Sequence, residues 1–155
     1  MAYSINFDDG YKEFEINGDP NRVLRFNPAD IGVVDRMHKA VENMQNDIKN
    51  IGDVKITQTG DAMTDVKEVA DIVRRINESL RSGFDEIFYP GASRIVFGVQ
   101  NPMAIASGKT IYENFMNEYI KVVEPFIHEA QKESETVMKE YKEAYDRTAA
   151  NIVQN

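Results

Sequence analysis

Three runs of apolar residues recur along this chain at alternating steps of three and four. Val34, Met37, Val41, Met44, Ile48 and Ile51 form the first. Val66, Val69, Val73, Ile76 and Leu80 form the second, widened by Ile72. The third is Ile111, Tyr112, Phe115, Met116, Tyr119, Val122, Val123, Phe126 and Ile127. Steps of three and four return a side chain to one side of an α-helix, so each run predicts a helix with an apolar face. Such faces are most simply buried against one another, which commits the chain to a largely helical core.

Before the first run the period changes to two. Tyr3, Ile5 and Phe7 alternate with polar residues, Asp8-Asp9-Gly10 reads as a turn, and Phe14 and Ile16 alternate again. Asn17-Gly18-Asp19-Pro20 is a second turn, after which Val23-Leu24-Arg25-Phe26 resumes. Asn-Gly and Asp-Gly suit the positive φ values of tight hairpins, and a small meander must pack on something to be stable. The expected fold class is therefore α+β and mostly α. A short N-terminal antiparallel β-meander of two or three strands packs on three main helices, the last long and Pro-kinked. One domain spans residues 1–155: meander 1–27, helical core 28–128, and a charged helical extension 129–155 whose order in the free protein is left open.

Punctuation residues set the boundaries. Asn27-Pro28 reads as the start of the first helix and Gly52 as its end. Residues 53–63 read as a loop, Asp65 and Glu68 have capping-box spacing, and Ser82-Gly83 closes the second helix. Residues 84–108 read as apolar turns plugging a core, with stops at Pro90-Gly91 and Gly98 and a further turn opened by Asn101-Pro102. Ser107 is expected to cap the long helix and Gly108 to begin it, with an end near Thr148. Pro125 should kink it near residue 121.

The chemistry-bearing residues exclude more than they suggest. The chain has no cysteine, which removes disulfides, thiolate zinc sites and a cysteine nucleophile. It has 26 acidic against 18 basic residues, a net charge of -8, where nucleic-acid or anionic-membrane binding needs a basic face. The first residues lack a basic region and do not read as a signal peptide. No stretch approaches an apolar membrane span. These readings point to a cytoplasmic protein. Ser107-Gly108-Lys109-Thr110 matches the end of a phosphate-binding loop, but Met103 stands where that motif needs a glycine. His128-Glu129 opens a zinc-protease pattern that Lys132 breaks. His38 and His128 read as exposed helix residues, and the neighbours Asp85 and Glu86 point apart. No catalytic, cofactor-binding or metal-binding residue is assigned, and no enzymatic activity is expected.

Beyond Glu129 the charges alternate in sign and the apolar residues thin to Val137, Met138, Tyr141 and Tyr145. These share one side of a helix, and Met and Tyr suit adaptable contacts, so they are the candidate partner-binding residues. A helix of forty residues would run about 60 Å, longer than a compact domain, so its tail should project or dock on a partner.

Four segments carry a resemblance. They are Arg25-Phe26-Asn27-Pro28-Ala29-Asp30, Phe84-Asp85-Glu86-Ile87-Phe88, Val96-Phe97-Gly98-Val99-Gln100-Asn101-Pro102, and Gly108-Lys109 entering a helix with Glu113-Asn114-Phe115, Pro125 and a charged tail. Over roughly residues 14–147 the chain resembles small proteins from the tail-assembly region of phages and prophages of low-GC Gram-positive bacteria. It departs from them at Ser107, where a second glycine is common. The resemblance implies a tail assembly chaperone that binds the tape-measure protein and keeps it soluble in the bacterial host's cytoplasm. Its partners would be the tape measure or another tail protein, with self-association as a further expectation and no cofactor. The alternatives are a virion structural or head-tail connector protein and a small acidic regulator of a host protein.

Overall fold

Asn17 and Gly18 both take positive φ, 53° and 71°, the geometry that closes a two-residue hairpin with the twist of its strands. The computed structural model, which describes residues 1–52 and 60–153, accordingly pairs β1 (Lys12–Ile16) antiparallel with β2 (Asp19–Phe26) across this turn. Phe14 lies opposite Leu24 and Lys12 opposite Phe26, and the register shifts between Glu15 and Ile16. The first expected strand does not form: residues 1–11 carry no strand. The reason is local. The carboxylates of Asp8 and Asp9 accept the N–H groups of Gly10 and Tyr11 at 2.9 and 3.1 Å, and Asn27 Nδ2 donates to the Asp9 carbonyl at 3.3 Å. Gly10 has φ 73°, and a Cβ there would stand 2.6 Å from Asn27 Nδ2. This packed corner directs residues 1–7 away from β1 instead of folding them back along it.

Helix α1 (Gly32–Gly52) begins later than Asn27-Pro28 suggests. Asn27 Oδ1 accepts from Ala29 N at 2.9 Å and Asp30 Oδ1 from Gly32 N at 2.8 Å, so two side-chain turns precede the helix. Residues 53–59 of the expected loop lie outside the described residues. Helix α2 (Ala62–Ile87) starts a turn before the expected capping box, at Asp61, whose side chain accepts from Met63 N. It also runs straight through Ser82-Gly83. Gly83 is buried here, and a Cβ on it would lie 3.2 Å from Met44 Cγ and Sδ and 3.6 Å from Ala40 Cβ. The glycine therefore serves close packing of α1 on α2, and its intrinsic helix-weakening is overridden.

The same close approach shifts the buried line of α1. Val33, Ala40 and Met44 are buried, whereas Val34, Val41 and Ile48 of the predicted stripe are exposed, as are Val66, Val69 and Val73 of α2. The first two stripes are thus only partly a mutual core.

Past Gly91, which has φ 93°, α3 (Ala92–Phe97) turns back beneath the hairpin. Asp85 of α2 accepts from Ser93 N at 2.7 Å, filling the capping role that Gly91 cannot. Arginines hold the opposite helix ends. Arg22 of β2 donates to the carbonyls of Ile95 and Val96, Arg81 to those of Gly98 and Gln100 at 2.7 and 2.6 Å, and Arg36 to that of Ile87 at 2.8 Å. Cations there satisfy carbonyls that have no partner within their own helix.

Two short strands, β3 (Ile105–Ala106) and β4 (Lys109–Thr110), form a second hairpin. Its turn is Ser107-Gly108, with φ 55° and 77°. Ser107 therefore does not cap the last helix, because it occupies a left-handed turn position. Thr110 caps instead, its Oγ1 accepting from Glu113 N at 3.1 Å. Helix α4 then runs from Ile111 to Val153, past the expected end and continuously through Pro125.

Aromatic rings join these elements. Phe84 is fully buried and meets Phe88, Phe97, Phe115 and Tyr112 at centroid distances of 4.8, 4.9, 5.2 and 6.0 Å. Phe26 of the hairpin meets Phe14, Tyr119 and Phe88 at 4.5, 5.4 and 5.6 Å. The fold is α+β and mostly α, with a two-stranded hairpin against helices of which the last is long.

Candidate functional site

The front half of α4 is held by its apolar face. Tyr119 and Val123 are buried, and Phe115 packs on both Phe84 and Phe97. Burial pushes the Tyr119 hydroxyl up to about 12, partly countered by the nearby Arg36 charge, and burial also raises Tyr112. Both therefore remain neutral packing groups at ordinary pH.

Past Ile127 the environment changes. Every residue from 131 to 148 is exposed. The predicted partner-binding residues Val137, Met138, Tyr141 and Tyr145 lie here with exposures between 47% and 73%. At 3.6 residues per turn they occupy roughly 100° of the helix circumference. The structure thus brings the four together as one apolar stripe on a helix surface. Ile152 is also exposed and falls on the same stripe, an extension that sequence reasoning passed over by ending the helix near Thr148. Lys139 and Glu143 pair at 4.0 Å, while Thr136 and Thr148 donate to the carbonyls four residues earlier at 3.0 and 2.9 Å. These polar side chains are occupied within the helix itself, while the apolar stripe faces outward.

A second apolar feature lies between the hairpin and α4. It is an open cleft of about 480 Å³, walled by Phe14, Ile16 and Leu24 on one side and Ile111, Phe115 and Val122 on the other. Asn17, Gln100 and Asn114 supply uncharged polar groups to its lining, and Glu15, Arg22 and Glu118 charged ones. Nothing in the sequence marked it, because its walls are assigned to the core by their periodicity.

The remaining motifs are used structurally. Lys109 lies 3.7 Å from Glu113 at the start of α4, on the hairpin and cap formed by Ser107, Gly108 and Thr110. His38 and His128 are exposed beside Glu42 and Glu124 at 3.5 and 3.9 Å. Asp85 caps α3, while Glu86 turns away to accept from Asn43 Nδ2 at 3.3 Å. Among the described residues no group of three or more His, Asp or Glu side chains is arranged to hold a metal ion, and no helix is long and apolar enough to cross a membrane.

The segments that carried the family resemblance converge on the aromatic core: Phe26 meets Phe88, Phe88 meets Phe84, and Phe84 meets Phe97 and Phe115. They are packing motifs and speak to fold. A family model described as a family of unknown function (DUF6673) matches residues 21–152. No curated protein and no solved structure gives a match.

Proposed function

Because the chain belongs to the DUF6673 family, whose description assigns no function, we propose its role from the surface it offers: a tail assembly chaperone that holds an apolar helical segment of a tape-measure protein along the free end of α4. The observation that carries this reading is the exposed stripe Val137, Met138, Tyr141 and Tyr145 on a helix that no described element covers. A second helix laid along it would bury apolar faces on both sides, the common mode of helix recognition. The net charge of -8 supports the reading, since an acidic carrier keeps an aggregation-prone client dispersed.

The test is co-expression with a fragment of the neighbouring tape-measure protein. The wild-type chain should keep that fragment soluble and elute with it as a complex. Replacing Met138 and Tyr141 together by aspartate should weaken the complex at least thirtyfold, the loss of about 2 kcal/mol expected for central interface side chains. Because both are exposed, the melting temperature of the free protein should not move. An insoluble fragment with wild type, or an undiminished complex with the double variant, removes the proposal.

A further inference from the structure

Residues 1–7 form an arm with its own pattern. Ser4 Oγ donates to Asn6 Oδ1 at 3.0 Å, so these two side chains share one side of an extended backbone, and Tyr3, Ile5 and Phe7 share the other. All three are at least 77% exposed. The arm is not loose at its root, where Asp8, Asp9 and Asn27 bond the corner and the Arg25 guanidinium lies 5.6 Å from the Tyr11 ring centre. An anchored extended segment that presents a row of large apolar groups to water is a binding element that lacks its site.

The site it fits is in the same molecule type. From Tyr3 to Phe7 the arm spans about 13 Å at the usual rise of a strand. The cleft wall from Ile111 to Val122 spans about 16 Å of helix, and its 480 Å³ is within the range of ~300–1,000 Å³ for occupied sites. Residues 1–7 contain no charged side chain, so the arm brings no side-chain charge of its own to desolvate. Asn17 and Gln100 offer uncharged partners for the arm's backbone. Two copies at -8 each repel one another, and an arm without charged side chains adds nothing to that repulsion.

Within one molecule the arm lies outside the cleft: the corner bonded by Asp8, Asp9 and Asn27 directs it away from β1, and Tyr3, Ile5 and Phe7 stay exposed. At the Lys12 end of the cleft Phe14 is edge-on to Phe126 at 6.5 Å, with the Lys12 ammonium 5.9 Å from the centre of that ring. The geometry points to exchange between copies: the arm of one molecule lies in the cleft of a second, with Tyr3, Ile5 and Phe7 against Phe14, Ile16, Phe115 and Val122. This contact is separate from the client stripe on α4.

The absence of native cysteine gives a direct test in the full chain. An Ile5→Cys variant and a Val122→Cys variant, mixed and mildly oxidised, should yield a disulfide-linked heterodimer. Each residue is exposed, so neither change should disturb folding, which circular dichroism verifies. In light scattering the wild type should be assembled and the Tyr3→Ser, Ile5→Ser, Phe7→Ser variant monomeric. The Met138→Asp, Tyr141→Asp variant should assemble like the wild type. The inference is overturned by a monomeric wild type at 100 µM (an upper concentration of about this order), by a serine variant that still assembles, or by assembly lost through the α4 changes. It is also overturned if the two cysteines placed in one chain bridge only within that chain.

Discussion

Ser107 holds φ 55° in a turn whose counterpart uses Asn17. A left-handed conformation costs a non-glycine residue about 1 kcal/mol, and asparagine tolerates it better than serine. Ser107→Asn should therefore stabilise the protein by about 0.5–1 kcal/mol, seen as a raised urea midpoint with an unchanged slope. Asp30 supplies a second residue-scale prediction. The Arg36 hydrogen bond at 2.8 Å, opposed by partial burial and aided by Gly32 N–H, holds its carboxyl below the ordinary value of 3.8. On acidification the unfolded chain takes up this proton first. The contribution is thus complete above the ordinary carboxylate range and is lost as pH falls through the folded value. Between about pH 5 and pH 2.5, Asp30→Asn should lose less of its urea midpoint than the wild type does.

At the scale of elements, Gly83 shows why local punctuation misleads. Read alone, Ser82-Gly83 ends a helix, yet the absent side chain is what admits Met44 and Ala40 of α1. Gly83→Leu should retain the helix but force the pair apart, costing about 1–3 kcal/mol in chemical denaturation. Periodicity made the helices legible because burial and helical repeat coincide in them. The Asn17-Gly18 hairpin was legible because its dipeptide has one dominant conformation. What was hidden depended on partners distant in sequence. The corner at Gly10 is set by Asn27, the capping of α3 by Asp85 and Arg22, and the cleft by where α4 lies against β1. The stripe at Val137, Met138, Tyr141 and Tyr145 was readable for the opposite reason: an exposed helix keeps its sequence geometry with no partner to change it.

For the whole molecule the decisive quantity is length. Helix α4 has 43 residues, about 65 Å at the standard rise, whereas a compact chain of 155 residues has a radius of gyration near 15 Å. Small-angle scattering of the monomer, isolated with the arm substitutions, should give a radius of gyration well above that value and a longest dimension of at least about 65 Å. A value near 15 Å would mean that the tail folds back. Pro125 stands within two turns of the point where α4 leaves the core. It has no N–H to give the carbonyl of Lys121, so one rung of the hydrogen-bond ladder is missing at this junction. Fraying that begins at the free end therefore has a natural stopping place before it reaches Tyr119. A load pulling on the tail would bend the helix at that rung before it strained the rings around Phe84.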